Sequence, residues 1–140
     1  MDLGMDMWKY YGITHTDHTV MNPLSLEKTR ELVGLLRLPE GGRVLDVACG
    51  KAEFLCLVAE AYNVKATGID LSPYTIEAAR KNVETRGLAD RIEVKFCDYR
   101  DLDGHYDKIV SIEMIEAVGK EYLGEYFRCC NQLLKPGGRM

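Results

Sequence analysis

No apolar run in this 140-residue chain approaches the roughly 20 residues that a membrane-spanning helix needs. No transmembrane segment is therefore expected. A basic start is also missing: Met1-Asp2-Leu3-Gly4-Met5-Asp6 is acidic where a secretory signal would be positive. Nor is there an excess of positive charge. The formal net charge of -4 gives no electrostatic reason to expect nucleic acid as a partner. The five cysteines are odd in number and form no C-x-x-C pair, which argues against a disulfide framework and for reduced thiols in a cytoplasmic protein. Histidine is scarce. His15-Thr16-Asp17-His18 has no further ligand cluster in the sequence, so no metal is expected. What remains is 46% hydrophobic and 29% charged, enough for one soluble domain with its own core.

The chain is organised around Arg43-Val44-Leu45-Asp46-Val47-Ala48-Cys49-Gly50-Lys51-Ala52-Glu53-Phe54. This reads as a short apolar strand, a tight turn of small residues and the start of a helix. In an α/β sheet such a turn lies at the carboxyl end of the strand, where a cofactor approaches the backbone closely. Dinucleotide binders use G-x-G-x-x-G here, but positions 48, 50 and 53 are Ala, Gly and Glu, which disfavours a nicotinamide-dependent oxidoreductase. Asp46, an acid inside the apolar strand, suits a cationic ligand instead. The stretch resembles the first motif of class I S-adenosylmethionine-dependent methyltransferases, D-x-G-x-G-x-G, with two glycines replaced as Ala48 and Ala52. Alanine leaves room in such a turn unless the backbone needs positive φ.

Taken in order, residues 1–24 form an N-terminal arm or lid with Trp8, Tyr10 and Tyr11, and residues 25–140 form the cofactor-binding domain. Ser25 caps a helix predicted over 26–37, with Leu32, Val33, Leu35 and Leu36 on its apolar side. After the motif, Phe54, Leu57, Val58 and Ala61 recur at helical spacing. A second strand over 64–70 ends in Asp70, followed by Ser72 as N-cap and Pro73 at the first position of a helix reaching Arg86. Asp70 stands 20 residues after Gly50, where an acid can accept hydrogen bonds from both ribose hydroxyls of an adenosyl group. Strands follow over 91–96 and 106–112, then a helix over 120–134 with Leu123, Phe127, Cys130 and Leu134 along one face. The adjacent Cys129 and Cys130 read as buried helix cysteines.

This order predicts an α/β fold, a Rossmann-like parallel sheet of strand order 3-2-1-4. Leu133-Leu134-Lys135-Pro136-Gly137-Gly138-Arg139-Met140 looks like a turn leading toward a further strand, so a fragment truncated before its fifth strand is expected. The fourth strand then exposes Ile109-Val110-Ser111-Ile112 as an apolar edge, through which copies would self-associate.

Phe96-Cys97-Asp98-Tyr99-Arg100-Asp101 and the run from Tyr106 to Gly119 resemble the cyclopropane-fatty-acyl-phospholipid synthases, specifically from about residue 88 to 140. The resemblance implies methylene transfer to an unsaturated acyl chain, contact with a membrane surface, and S-adenosylmethionine held by Asp46, Ala48, Gly50, Asp70, Leu71, Cys97 and Asp98, with Asp98 toward the adenine amino group. Glu116 matches the family's glutamate that helps hold a bicarbonate base; no cysteine precedes Cys49, where those synthases place one in the same site. Residues 10–80 look more like a general small-molecule methyltransferase branch, so a mixed lineage joined near residues 84–90 is expected. A small-molecule methyltransferase and a cofactor-binding fragment without turnover are the alternative functions.

Overall fold

The computed structural model describes Ile13, residues 17–19 and residues 24–140. Trp8, Tyr10, Tyr11 and His15 of the expected arm lie outside the described residues. Helix α1 (Leu26–Leu35) precedes β1 (Arg43–Val47), α2 (Glu53–Ala61), β2 (Lys65–Asp70), α3 (Pro73–Thr85) and β3 (Ile92–Phe96). A short 3-10 turn (Tyr99–Asp101), β4 (Tyr106–Val110), the one-turn α4 (Ile115–Val118), a second 3-10 turn (Lys120–Tyr122), α5 (Leu123–Leu133) and β5 (Leu134–Arg139) complete the chain.

All strand pairs are parallel, in the order β3-β2-β1-β4-β5. The expected order of the first four strands holds. The expectation of truncation before a fifth strand does not, because Leu134–Arg139 pairs with β4 at Tyr106↔Leu134 and Lys108↔Arg139 across an irregular register. Leu134 therefore begins a strand; it does not continue the helix. The expected bare edge is also reduced. Ile109 is buried, and Val110 and Ile112 are half-buried against the core.

Hydrophobic burial on both faces of β1 organises the layers, as in central parallel strands generally. Val44 joins a core of α1, α2, α3, β2 and β3 side chains, while Leu45 and Val47 face a second core built with Ile69, Tyr106, Ile109, Tyr126, Cys130 and Leu133. Helix α2 is buried from Glu53 to Ala59, and Ala61 is exposed. Ser25 caps α1 by accepting from the Lys28 amide at 3.1 Å. Ser72 caps α3 by accepting from Thr75 at 3.3 Å, with Pro73 at its first position. Two helix faces differ from the periodicity. Leu35 is 63% exposed, and α5 turns Tyr126, Cys129, Cys130 and Leu133 inward while Phe127 stays 49% exposed. In α5 the inward face is the one that carries Tyr126, which donates to Ser111 Oγ and stacks edge to face on Tyr99. All five cysteines are free.

Candidate functional site

The carboxyl ends of β1 to β4 form one rim, and the chain reverses direction across the sheet between β1 and β4. Clefts at such a reversal are where open α/β sheets place their ligands. The loop from β1 to α2 winds over this rim with Ala48, Gly50 and Ala52 all at positive φ, 65°, 54° and 61°. The condition under which alanine would not simply replace glycine is thus met at both substituted positions. Two hydrogen bonds staple the loop to β2: Cys49 N–H to Ile69 O at 2.9 Å, and Gly50 N–H to Asp70 Oδ2 at 3.0 Å. Cys49 packs directly over Gly68. A Cβ at Gly68 would lie 2.8 Å from Cys49 Sγ and 2.9 Å from Leu55 Cδ1. Sequence reasoning passed over this glycine, although a lone glycine inside a strand signals close backbone or side-chain approach.

Asp46 is 4% exposed, and its carboxyl has no hydrogen-bond partner among the described residues. Burial, reinforced by the nearby Asp70 charge, pushes its carboxyl up to about 8. An ionisable group buried this way, without a donor, is where a cationic or hydrogen-bond-donating ligand gains most. Asp70, at the end of the neighbouring strand, accepts from Gly50 N–H through one oxygen and from Ser72 N–H at 2.9 Å through the other. Each carboxylate oxygen retains acceptor capacity for a ligand hydroxyl. Burial and the same two carboxylates hold the Cys49 thiol protonated, which removes it as a nucleophile.

Around Asp70 the rim is apolar. Leu71 is 41% exposed, Tyr74 43% and Phe96 60%. Phe96 sits opposite Asp70 in the β2–β3 register; its phase with Ile92 and Val94 was legible in the sequence. Cys97 donates its amide to Asp70 O at 3.2 Å, which places it beside Leu71 on the rim. Asp98 is engaged locally. It caps the 3-10 turn by accepting from Arg100 N at 2.9 Å and pairs with the Arg100 guanidinium at 2.9 and 2.7 Å. That Arg100 contact holds the Asp98 carboxyl below its usual range.

The end of β4 supplies the opposite wall. Tyr126 of α5 donates to Ser111 Oγ at 2.6 Å and meets Tyr99 edge to face with centroids 5.2 Å apart, which buttresses this end of the strand. Glu113 follows at φ 56°, a strained conformation for a residue with a Cβ that the sequence did not signal. Glu116 lies on the exposed surface of α4 and makes no ion pair among the described residues. The structure thus brings together Asp46, Ala48, Gly50, Asp70, Leu71 and Cys97, and leaves Asp98 and Glu116 outside that network. The described residues contain no helix long and apolar enough to cross a membrane and no three-residue cluster suited to a metal.

Comparison with known proteins agrees with this geometry. The chain is 40% identical over 111 residues to the tuberculostearic acid methyltransferase of Mycobacterium tuberculosis, covering 79% of this chain and 26% of that protein. It is 34% identical over 111 residues to the cyclopropane-fatty-acyl-phospholipid synthase of Escherichia coli, covering 79% of this chain and 28% of that one. Among solved structures, an S-adenosylmethionine-dependent methyltransferase from Thiobacillus denitrificans in complex with S-adenosylhomocysteine superposes with a TM-score of 0.84 at 32% identity, covering 96% of this chain and 54% of that one. The chain therefore spans between about a quarter and a half of the length of these relatives. The mycolic acid cyclopropane synthetase family matches residues 7–140, a span that includes both halves of the chain and residues 84–90 between them. The fold, the small-residue loop over Asp70 and the match over residues 7–140 together make this chain a member of the mycolic acid cyclopropane synthetase family.

Proposed function

We propose that this chain binds S-adenosylmethionine at the β1–β2 rim and belongs to an enzyme that transfers the cofactor's one-carbon group to an unsaturated acyl chain. The observation that carries the reading is Asp46: a buried carboxyl with no hydrogen-bond donor among the described residues, beneath a loop whose next amide donor, Gly50 N–H, is already aligned with Asp70. The residues fit the cofactor, because Asp46 offers an acceptor to a positively charged group and Asp70 keeps lone pairs for two hydroxyls. When bound, S-adenosylmethionine supplies a methyl made electrophilic by its sulfonium. Asp46 and Asp70 bind and orient; Ala48 and Gly50 keep the loop thin enough for close approach; Leu71 and Cys97 flank the adenine, with Asp98 available to its amino group once Arg100 shares the carboxylate. Most of the rate would come from holding donor and acceptor aligned.

Glu116 is the proposed holder of a bicarbonate base: its carboxylate would accept a hydrogen bond from the bicarbonate hydroxyl, leaving the other oxygens to take the proton from the carbon. The acceptor is a lipid acyl chain met at a membrane surface, the compartment is the cytoplasm, and copies associate through the part of β4 past Lys108, where β5 no longer pairs. A small-molecule acceptor is the alternative outcome.

Calorimetric titration of the full chain with S-adenosylhomocysteine, with NADH as comparison and Asp70→Asn as control, tests the cofactor site. Binding of the former alone, weakened in the variant, is expected. A folded chain that binds neither would overturn the reading. A subsequent screen with unsaturated phospholipid vesicles and small methyl acceptors separates the acceptor classes, and cofactor binding without transfer to any of them would identify a binding module.

A further inference from the structure

Glu53, the first residue of α2, is a carboxylate only 6% exposed inside the cofactor loop's own helix, and nothing in the proposed chemistry uses it. Its partners come from the end of α3 and its C-cap, Arg86. Arg86 donates to Glu53 Oε1 at 2.6 Å, with a second arm to Glu60 at 3.3 Å. Asn82 Nδ2 donates to Glu53 Oε2 at 3.2 Å and to the Lys51 carbonyl at 3.1 Å. One amide nitrogen with two protons therefore meets two acceptors, and Glu53 fixes which way that amide faces.

The Lys51 carbonyl is the sensitive point of the loop. It belongs to the peptide between Lys51 and Ala52, and Ala52 holds φ 61° although alanine disfavours that region. Rotating this peptide would return Ala52 to negative φ and relieve the strain. It would also pull the Lys51 carbonyl off Asn82 and disturb Gly50, whose N–H meets Asp70. A glycine at position 52 would need no such restraint.

We infer that Asn82, oriented by Glu53 and Arg86, is a positioning residue that holds the alanine-substituted loop in its cofactor-receiving conformation. The clamp compensates for the glycine that this chain lacks at position 52. This inference rests on the proposed cofactor site.

The test is S-adenosylhomocysteine affinity of the full chain in four forms: wild type, Asn82→Ala, Asn82→Ala with Ala52→Gly, and Val83→Ala. Val83 is a buried core residue on the same helix and provides a loss of stability without loss of the clamp. Asn82→Ala is expected to weaken binding about tenfold, the scale of one hydrogen bond to a constrained group. Adding Ala52→Gly is expected to restore most of the loss, and Val83→Ala is expected to lower Tm while leaving affinity unchanged. Equal affinity in wild type and Asn82→Ala would overturn the clamp while leaving the cofactor site intact, as would a loss that Ala52→Gly does not repair. Should Asn82→Ala fail to fold, Glu53→Gln, which weakens the orientation of Asn82 but keeps an acceptor, is expected to give a smaller loss repaired by the same glycine; no loss there overturns the clamp. A wild-type chain that binds no S-adenosylhomocysteine overturns both readings.

Discussion

Replacing Ala48 by glycine is expected to stabilise the protein, whereas the same change at Ala52 is expected to be close to neutral. Both alanines hold left-handed backbone, which costs a residue with a Cβ about 1–2 kcal/mol. Glycine removes that strain but returns about 0.4–1 kcal/mol through the greater entropy of the unfolded chain. The two sites differ in what their methyl groups touch. Ala48 is exposed, so a net gain of about 0.5–1 kcal/mol survives. Ala52 is 0% exposed, and losing its buried methyl costs about 0.8 kcal/mol, which cancels the gain. For a chain of this length the Ala48→Gly gain corresponds to about 2–4 °C in Tm. Calorimetric melting and urea midpoints at unchanged m-value provide the measurement. An Ala48→Gly Tm at or below wild type, or a larger gain at Ala52 than at Ala48, would refute the strain argument.

Asp46 predicts a pH dependence with a defined sign. Its carboxyl is raised from 3.8 to about 8, so the folded protein keeps a proton that the unfolded chain releases. The stability it contributes is complete below pH 3.8 and is lost as the pH rises through about 8. Urea midpoints taken across that window should fall in the wild type and stay flatter in Asp46→Asn; parallel curves would show that Asp46 does not carry the effect. A positively charged ligand beside Asp46 should also release a proton on binding near neutral pH, read by calorimetry in buffers of different ionisation enthalpy. Gly68→Ala should destabilise by about 1–3 kcal/mol through overpacking against Cys49 and Leu55, and it should weaken S-adenosylhomocysteine binding because Cys49 anchors the loop. A variant as stable as wild type would mean that Cys49 can move aside. Glu116→Gln is expected to leave S-adenosylhomocysteine affinity unchanged and to reduce acyl transfer; unchanged transfer would remove Glu116 from the chemistry.

Much of this protein is written locally and was legible as such. Alternating and continuous apolar runs marked β1 to β4, and Ser25, Ser72 and Pro73 marked helix starts, because capping and strand burial depend on near neighbours in the chain. Asp46 and Asp70 stood out as candidate site residues for the same reason: each ends or interrupts an apolar strand. The tertiary structure decided what depends on partners far apart in sequence. Leu134–Arg139 contains Pro136, Gly137 and Gly138 and carries little strand propensity of its own, so only the edge offered by β4 makes it a strand. Tyr126 and Phe127 are neighbouring aromatic residues, and Ser111 and Tyr99, far away in the chain, receive Tyr126 while Phe127 stays exposed. Asp98 is a local exception: it has the residue type expected of an adenine contact, yet Arg100, two residues on, takes its carboxylate. The positive φ of Ala48 and Ala52 cannot be read from alanine, because the strain is held by contacts from β2 and α3 across the sheet. Local residue pattern therefore determined the fold class and the cofactor rim, and long-range packing decided the loop conformation on which use of that rim depends.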